Sequence, residues 1–322
     1  RSHKHPFARG NSHLVPKPRG ATLNKLAVTV LMGGPDAERD VSIQSGNAVA
    51  RALEESNRFL VTSEVIDKTT VGELVRMKPD VFFPVLHGPY GEGGPLQVLL
   101  EQCGIPFVGS SSSASQNAMD KVCTKEIANQ IGIQTPDWSL VSKGKPCDLD
   151  VPLVLKPVND GSSIDIAICK THAKVNTARD ALHKKRDVLL AESYICGREI
   201  TVGILNGNPL PIVEIVPPTD IETYDFEAKY ERDDTQFILE PHLPPNRCVE
   251  QALQLYESMH IQDIARVDFI IDDFGEWLLE LNTMPGFTDH SLVPMAAKHA
   301  GMHMPSICSS LVDIAVARVV KS

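Results

Sequence analysis

The region from residue 25 to about residue 116 alternates short apolar segments with amphipathic ones, and this alternation restricts the fold more than any other feature of the chain. Apolar segments typical of strands cover 26–32, 59–67, 80–87 and 105–109, and helical patterns lie between them, notably at about 41–55 and 96–104. Such alternation predicts an α/β fold built from βαβ units with a mostly parallel sheet. Ligands bind such sheets beyond the carboxyl ends of the strands, so the loops 33–42 and 87–94 are candidate binding segments.

The pattern changes after the serine-rich segment 109–115. Residues 117–195 predict a small α+β module, and residues 196–322 predict two hairpins, the first with an Asn206-Gly207 turn, followed by two helices. A long charged segment, 217–234, is too polar for a core and is predicted to be a lid loop. We therefore predict three domains, at 25–116, 117–195 and 196–322. The basic, aperiodic residues 1–24 are expected to be a flexible leader or a cloning remnant.

Composition excludes several classes of partner. The 322 residues carry a net charge of −10, which argues against nucleic acid as the main partner because phosphate backbones require a basic face. No apolar run approaches the roughly 18 to 20 residues of a membrane span, so we expect no membrane partner. The 7 cysteines form no C-x-x-C pair, and free thiols indicate a reducing compartment, which predicts a cytoplasmic protein.

The second hairpin carries acidic and amide side chains inside apolar strands. Strands at about 266–271 and 277–281 flank the turn 272–275, so Asp268 is expected roughly opposite Glu280, and Asn282 is expected on the same face as Glu280. Carboxylate and amide oxygens suit a hard cation such as Mg²⁺, which proteins commonly hold together with substrate phosphates. The hairpin therefore indicates a metal-nucleotide site. An exposed strand face that is acidic by chance is the alternative at this point.

Two further segments suggest nucleotide contacts. Lys156 ends an apolar strand and is followed by Gly161, Ser162 and Ser163, a combination that can cradle phosphate. A surface lysine is the competing explanation, and neither a P-loop nor a dinucleotide-binding fingerprint occurs. The segment Glu192–Ile195, where one strand passes into the next region, is a candidate adenine hinge, although an ordinary amphipathic strand would have the same pattern.

Eight motifs follow one another along the chain with compatible spacing. In order they are GGxxxERxVS, LHGPxGE, MDK, LKP with GSS, ExxxxGxE, YDxEAKY, RxD and LExNTxPGxTxxSLxP. With these motifs the chain resembles the D-alanine–D-alanine ligases of the ATP-grasp superfamily from about Lys25 to Lys321. The resemblance implies a three-domain ATP-grasp fold.

The resemblance also implies the cofactors and their residues. ATP and two Mg²⁺ ions are expected, with Mn²⁺ as a substitute, and the metal ligands would be Asp268, Glu280 and Asn282. The residues implied to contact ATP are Lys121, Lys156, Ser162, Ser163, Glu192, Ser193, Tyr194, Ile195, Glu199 and Lys229.

The implied substrate is D-alanine, two molecules of which bind in neighbouring subsites. The first would be held by Glu38, which pairs with its ammonium group, together with Ser162 and Tyr230. Arg266 would stabilise the oxyanion of the tetrahedral intermediate. The second subsite would be lined by His87, Gly286, Ser291 and Leu292. The residues expected to take part directly in catalysis are Glu38, Ser162, Tyr230, Arg266 and Ser291.

The implied reaction is ATP-dependent ligation to D-alanyl-D-alanine through a D-alanyl phosphate, with release of ADP and phosphate, for peptidoglycan precursor synthesis. A homodimer is expected from the family. Two alternatives remain open: a ligase that makes D-alanyl-D-lactate or D-alanyl-D-serine, and a non-catalytic ATP-grasp module that binds nucleotide.

The chain departs from the family pattern at two places. Where the family usually has GEDGT, this chain has GEGGP at 91–95, and the usual Val-Gly after GSS is replaced by Ile164 and Asp165. The first departure affects the packing of the loop after His87. The second places a negative charge beside the expected phosphate loop.

Overall fold

The computed structural model describes residues 25–161, 165–218, 235–288 and 290–320, with three sheets among them. The first sheet contains β1 (Leu26–Gly33), β2 (Phe59–Ile66) and β3 (Val81–Pro84), all parallel, in the order β2-β1-β3. The helices of this region are α1 (Arg39–Glu55), α2 (Val71–Met77), α3 (Gly88–Gly91) and α4 (Pro95–Cys103). The predicted βαβ arrangement is confirmed. The predicted strand at 105–109 contributes a single parallel bridge between Phe107 and Phe82.

The core of the first sheet extends to the far end of the chain. Two C-terminal helices, α9 (Leu292–His299) and α10 (Met304–Val320), contribute buried apolar side chains to the same cluster as β1, α1 and β3. On α10, Arg318 pairs with Asp263 and donates to the Phe107 carbonyl oxygen at 2.9 Å. Asp263 in turn accepts from the Gly109 amide at 2.7 Å. Segments that are far apart in the sequence therefore pack into one hydrophobic core.

The serine-rich segment is helical. Ser111 caps α5 (Ser112–Met119) by accepting from the Ala114 amide, and Asp120 caps the following helix, α6 (Lys121–Gln130). The predicted helix at about 119–131 thus corresponds to α6. The predicted domain boundary after residue 116 falls within α5, and the three-domain division remains a prediction.

The second sheet is antiparallel and small. It contains β4 (Trp138–Ser142), β5 (Leu153–Pro157), β6 (Ala167–Cys169) and β7 (Val188–Ser193), in the order β4-β7-β5-β6. Helix α7 (His172–Leu182) packs on this sheet through Val175, Ala178 and Leu182. The predicted α+β character of this region is confirmed.

The third sheet is antiparallel and pairs strands from both predicted hairpins. Its strands are β8 (Arg198–Leu205), β9 (Asn208–Pro209), β10 (Val213–Val216), β11 (Gln236–Leu239), β12 (Ile264–Asp272) and β13 (Gly275–Asn282), and helix α8 (Cys248–Ser258) covers one face. The turn between β8 and β9 has Asn206 at φ 53° and Gly207 at φ 73°. Two consecutive positive φ angles are those of the hairpin turn that Asn-Gly predicts.

An irregularity in the β12–β13 ladder decides which side chains share a face. Asp272 pairs with Gly275 at the turn, yet Asp268 pairs with Glu280, because the register shifts by one residue at Leu279. A regular ladder would place Glu280 opposite Val267, whose side chain is buried in the core. The bulge therefore turns Glu280 to the face of Asp268. The predicted pairing of these two carboxylates is confirmed.

Within the described ranges, no single helix is long and apolar enough to cross a membrane. Helices α9 and α10 satisfy that test only as a pair, with a bend of 108° between them.

The turn of the β12–β13 hairpin should depend on Asp272. Its Oδ1 accepts from the Phe274 amide at 2.8 Å, the Gly275 amide at 3.1 Å and the Trp277 indole at 2.9 Å. We expect Asp272→Ala to lower the free energy of unfolding by about 1–3 kcal/mol, because the three donors lose their acceptor. Urea unfolding followed by tryptophan fluorescence measures the change. Asp273→Ala removes the same charge from an exposed neighbour, and an equal loss in both variants would contradict the role of Asp272.

Candidate active site

A cleft between the second and third sheets gathers most of the residues predicted to contact nucleotide. Its empty volume is about 1140 Å³. The predicted residues on its walls are Lys156, Glu192, Ser193, Tyr194, Ile195 and Glu199. Apolar side chains of both sheets, including Val154, Ile270 and Leu279, complete the walls. A cleft with apolar walls and few polar groups can hold a flat aromatic ring beside charged groups.

A buried carboxylate at one end of this cleft lies between two lysines. Glu192 pairs with Lys156 at 2.5 Å and with Lys125 at 2.6 Å, and all three side chains are buried. Burial alone would raise the pKa of Glu192, but the two ammonium groups lower it overall. Burial lowers the pKa of Lys125 to about 8. The carboxylate thereby fixes the position of Lys156 at the cleft wall.

Lys125 is a residue that sequence reasoning missed. It lies one helical turn after Lys121 on α6, so the two lysines share a helix face. The four-residue spacing could have indicated the role of Lys125, because two lysines on a helix face that is otherwise buried require polar or charged partners. Lys125 also contacts Thr135, whose hydroxyl donates to the Leu278 carbonyl oxygen at 3.2 Å. Through Thr135, Lys125 on α6 is thus connected to β13, the bulged strand of the third sheet.

A smaller cavity of about 370 Å³ lies beside the β12–β13 hairpin. Lys121, Asp160, Gly161, Glu280 and Asn282 are among its lining residues. Lys121 donates to the Asp160 carbonyl oxygen at 2.7 Å and lies 3.3 Å from a Glu280 carboxylate oxygen. The predicted phosphate lysine and the predicted metal ligands thus meet at one place.

Asp268, Glu280 and Asn282 face one another across the hairpin, but cationic side chains and main-chain amides hold their oxygens. Arg266 donates to Asp268 at 2.8 Å and approaches Glu280 at 4.0 Å. Asp268 also accepts from Thr201 at 2.6 Å, and Asn282 accepts from the Met284 amide at 2.9 Å. Arg266 and Lys121 therefore lie where positive charge is required. The donors are hard oxygens, as Mg²⁺ prefers. Two carboxylates and one amide make up this set, and in the described part of the chain no group of three or more His, Cys, Asp or Glu is placed to hold a metal ion.

Two buried carboxyl groups meet at Gly161. A Cβ placed on Gly161 would lie 3.3 Å from Glu38 and 3.6 Å from Glu92, so both side chains reach the same spot. Burial, followed by the charge of Glu38, raises the pKa of Glu92 well above its usual value. Glu38 was predicted to bind an ammonium group, whereas Glu92 was noted only as part of a loop motif. Because burial and mutual repulsion oppose two negative charges at this point, a cationic ligand group here would stabilise the ionised carboxylates.

The loop 283–288 brings the predicted second subsite against the first sheet. His87 contacts the Met284 carbonyl oxygen through Nδ1 at 3.0 Å, and Phe287 packs edge-on against Phe83 with ring centroids 5.7 Å apart. Burial lowers the pKa of His87 to about 4, so its imidazole is neutral at pH 7. A Cβ on Gly286 would lie 2.6 Å from the Ser291 hydroxyl oxygen. Only a glycine permits that close approach.

Ser291 and Leu292 lie at the N-terminus of α9. Ser291 is the N-cap residue, and its hydroxyl contacts Thr288 at 2.8 Å without capping the helix itself. Amides at a helix N-terminus attract anions such as carboxylates. The contacts of His87 with Met284 and of Gly286 with Ser291 bring these segments together, and the assignment of His87, Gly286, Ser291 and Leu292 to one subsite stays a prediction.

Four of the predicted site residues, Ser162, Ser163, Lys229 and Tyr230, lie outside the described residues. Nearly all of the predicted lid, 217–234, also lies outside them.

The lysine–glutamate–lysine cluster should be sensitive to loss of Lys125. We expect Lys125→Met to lower the free energy of unfolding by about 3 kcal/mol, because removal of one partner leaves a buried charge incompletely compensated. Thermal and urea unfolding measure the change. Lys174→Met, which removes an exposed lysine from α7, serves as the control. Equal free energies of unfolding for the two variants would contradict the role of Lys125 in compensating the buried charge.

The buried Glu92 should make folding stability depend on pH. A carboxyl whose pKa is raised in the folded state stabilises the fold at low pH, and this contribution is lost as pH rises. Glutamine cannot ionise, so Glu92→Gln lacks this loss. We therefore expect the melting temperature of Glu92→Gln, minus that of the unmodified chain, to increase as pH rises from 5 to 8. Differential scanning calorimetry across this range tests the sign. The exposed Glu55→Gln should show no such trend; a flat difference for Glu92→Gln would contradict the assignment.

Comparison with known proteins agrees with this geometry. Residues 127–313 match the family described as D-ala D-ala ligase C-terminus, and residues 63–110 match D-ala D-ala ligase N-terminus. The D-alanine–D-alanine ligase of Aquifex aeolicus is 38% identical over 293 residues, covering 89% of this chain and 100% of that protein. The Bordetella petrii ligase is 39% identical over 319 residues, covering 94% and 96%.

Solved structures show the same relationship. The D-alanine–D-alanine ligase from Bacillus anthracis superimposes with a TM-score of 0.77 at 30% identity, covering 92% of this chain and 99% of the other. The same enzyme complexed with ATP gives a TM-score of 0.76 at 28% identity, with the same coverage. The predicted ATP-grasp fold is thereby confirmed. The chain belongs to the D-alanine–D-alanine ligase family.

Proposed function

We propose that the cleft joins two D-alanines to D-alanyl-D-alanine through a D-alanyl phosphate and releases ADP and phosphate. ATP-dependent ligation and a role in peptidoglycan precursor synthesis follow from membership of the family. One observation on this chain's own residues supports the proposal. Glu280, which pairs with Asp268 across the hairpin, lines a cavity together with Lys121 and Gly161. A Cβ placed on Gly161 would lie 3.3 Å from Glu38 and 3.6 Å from Glu92. Phosphate chemistry and an ammonium-binding point therefore lie side by side.

In this proposal the nucleotide occupies the larger cleft. The adenine lies between the apolar side chains of the two sheets, beside the hinge Glu192–Ile195, and Glu199 binds the ribose. Lys156 points at the phosphates, with its direction set by the Glu192 carboxylate. Lys121 contacts the phosphates at the other end, next to Glu280. Lys229, Ser162 and Ser163 are assigned to the phosphates from the sequence alone.

Asp268, Glu280 and Asn282 would hold two Mg²⁺ ions, or Mn²⁺ in their place, between themselves and the phosphates. Such ions neutralise charge on the transferring phosphoryl group. Asp268 can serve as a ligand once its ion pair with Arg266, now 2.8 Å long, has opened. The same opening releases the Arg266 guanidinium for the reaction centre. Arg266 would then both pair with Asp268 and stabilise charge during the reaction.

The substrate residues divide the chemistry between them. Glu38 pairs with the ammonium of the first D-alanine, whose carboxylate attacks the γ-phosphorus of ATP. The amine of the second D-alanine then attacks the acyl phosphate, and Arg266 stabilises the oxyanion that forms. The carboxylate of the second D-alanine binds at Ser291 and the Leu292 amide, where the α9 N-terminus offers unpaired donors. Neutral His87 adds no charge that would repel the incoming ammonium form.

Two parts of the scheme rest on residues outside the described ranges. Tyr230 is assigned to a network with Ser162 and Glu38 at the first subsite. The lid 217–234 is assigned the exclusion of water, because an acyl phosphate hydrolyses readily. A cytoplasmic location and a homodimeric state are further parts of the proposal, and sedimentation velocity tests the latter.

The metal assignment predicts a specific loss of activity. Glu280→Gln should fold normally but lose at least about 99% of D-alanine-dependent ADP release, because a neutral amide cannot balance two cations. A coupled ADP assay, with D-alanine present and absent, measures the loss. Glu276→Gln on the same strand is the control, since Glu276 accepts from the Arg247 amide outside the cleft and glutamine can also accept. Retention of activity by Glu280→Gln would contradict the assignment.

The choice of second substrate separates the proposed dipeptide ligase from a depsipeptide ligase. With ATP and equal D-alanine and D-lactate, chromatography between pH 6 and pH 9 should show D-alanyl-D-alanine as the main product at neutral pH. The reason is that neither neutral His87 nor the tyrosine at 230 adds the positive charge that would favour a hydroxy acid over an ammonium. A majority of D-alanyl-D-lactate at pH 7 would overturn this part of the proposal. ADP release without any D-amino acid dependence would overturn the ligase assignment itself.

A further inference from the structure

Four charged residues join the β5–β6 connection to the turn that precedes β7. Arg186 pairs with Asp160, and its other terminal nitrogen donates to Asp165 at 2.7 Å. Lys185 lies 3.0 Å from Asp165 as well. We refer to Asp160, Asp165, Lys185 and Arg186 as the loop clasp. Asp165 is one of the residues at which the chain departs from the family pattern, and Lys185 and Arg186 balance its negative charge.

The clasp is more than a pair of surface charges. The side chains of Asp160, Asp165 and Arg186 are 27%, 20% and 22% exposed, so most of each is removed from water. One planar guanidinium bridges two carboxylates, which gives fixed geometry as well as attraction. Burial alone would raise the pKa of Asp165, but hydrogen bonds from Lys185 and Arg186 lower it overall. Arg186 therefore anchors both carboxylates.

The two anchored aspartates adjoin the walls of the proposed nucleotide site. Asp160 and Gly161 line the smaller cavity with Lys121 and Glu280, and Ile166, next to Asp165, lines the larger cleft. The Asp160 carbonyl oxygen accepts from Lys121 at 2.7 Å. Asp165 has φ 59°, a left-handed conformation that glycine adopts more readily than aspartate. An L residue stays there only when its surroundings hold it, and Lys185 and Arg186 supply that hold.

Main-chain hydrogen bonds hold Arg186 against the end of α7. The Arg186 amide donates to the Leu182 carbonyl oxygen at 3.1 Å, which ties it to the end of α7. Its own carbonyl oxygen contacts Nδ1 of buried His183 at 2.9 Å. The Arg186 backbone is therefore fixed to the helix that packs on the second sheet.

We propose that Arg186 is a positioning residue for ATP, which holds Asp160 and Asp165 together and thereby fixes both cleft walls that the β5–β6 connection provides. The inference rests on the proposed function, because it assumes that the cleft binds ATP. It adds a role for a residue that touches neither substrate nor metal. Loss of the clasp leaves the two walls to be ordered by the nucleotide itself, at the expense of binding affinity.

The test is equilibrium binding of AMP-PNP with Mg²⁺, measured by isothermal titration calorimetry on the full chain. Arg186→Met should bind about tenfold more weakly, and KM for ATP should rise in parallel. KM for D-alanine at saturating ATP should stay unchanged, which a general loss of structure would not produce. Arg179→Met is the matched control: Arg179 is also an arginine of this region, 20% exposed and paired with an aspartate, Asp180, and its variant should bind as the unmodified chain does.

Two more variants keep the test decisive. Arg186→Lys, whose single ammonium can hold one carboxylate firmly, should show intermediate affinity, and it also serves if Arg186→Met folds poorly. The double variant Asp160→Asn with Arg186→Met removes the carboxylate that Arg186→Met leaves unpaired. Its affinity for AMP-PNP should stay low, because Arg186 no longer joins Asp160 to Asp165. Full recovery in the double variant, or unchanged affinity in Arg186→Met, would overturn the positioning role. An unmodified chain that fails to bind AMP-PNP would instead refute the proposed function.

Discussion

One extra residue in strand β13, Leu279, decides which polar side chains face the proposed metal site. The register shift at Leu279 lets Leu278 and Leu281 both face the core while Glu280 and Asn282 face Asp268 and Arg266 across the ladder. A regular strand cannot do this, because side chains alternate strictly between faces. Without the bulge, Glu280 would lie in the apolar core opposite Val267, where an unpaired carboxylate is very unfavourable. The proposed metal site thus depends on a local irregularity, as is common beside active sites.

The bulge is connected to the other side of the cleft by a short series of polar contacts. The Leu278 amide donates to the Gln134 carbonyl oxygen at 2.9 Å, and the Leu278 carbonyl oxygen accepts from Thr135. Thr135 contacts Lys125, which pairs with Glu192. Leu278, Thr135, Lys125 and Glu192 are buried, so each of these partners matters more than it would in water. The segment after α6 therefore links the two sheets that are proposed to hold the nucleotide.

Several acidic side chains of the site have cationic partners within the chain. Arg266 pairs with Asp268, Lys121 approaches Glu280, and the clasp around Arg186 pairs with Asp160 and Asp165. At Gly161, by contrast, two carboxyl groups approach one another, and burial followed by the charge of Glu38 raises the pKa of Glu92. An ammonium group at that point would relieve the repulsion. The charge pattern thus differs between the places proposed for metal, phosphate and amino acid.

The sequence alone determined the parallel first sheet, both hairpin turns and the family, because strand alternation, turn residues and ordered motifs are local signals. It placed Asp268 only roughly opposite Glu280, since the bulge at Leu279 that pairs them is visible only in the folded ladder. It did not reveal Lys125 or Glu92, whose importance comes from burial beside partners distant in the chain. It also left Asp165 as an unexplained charge, since its partners lie some twenty residues later. Only the tertiary structure decided these points, because the free energy of a buried charge depends on which groups surround it, and folding brings those groups together from segments that the sequence keeps apart.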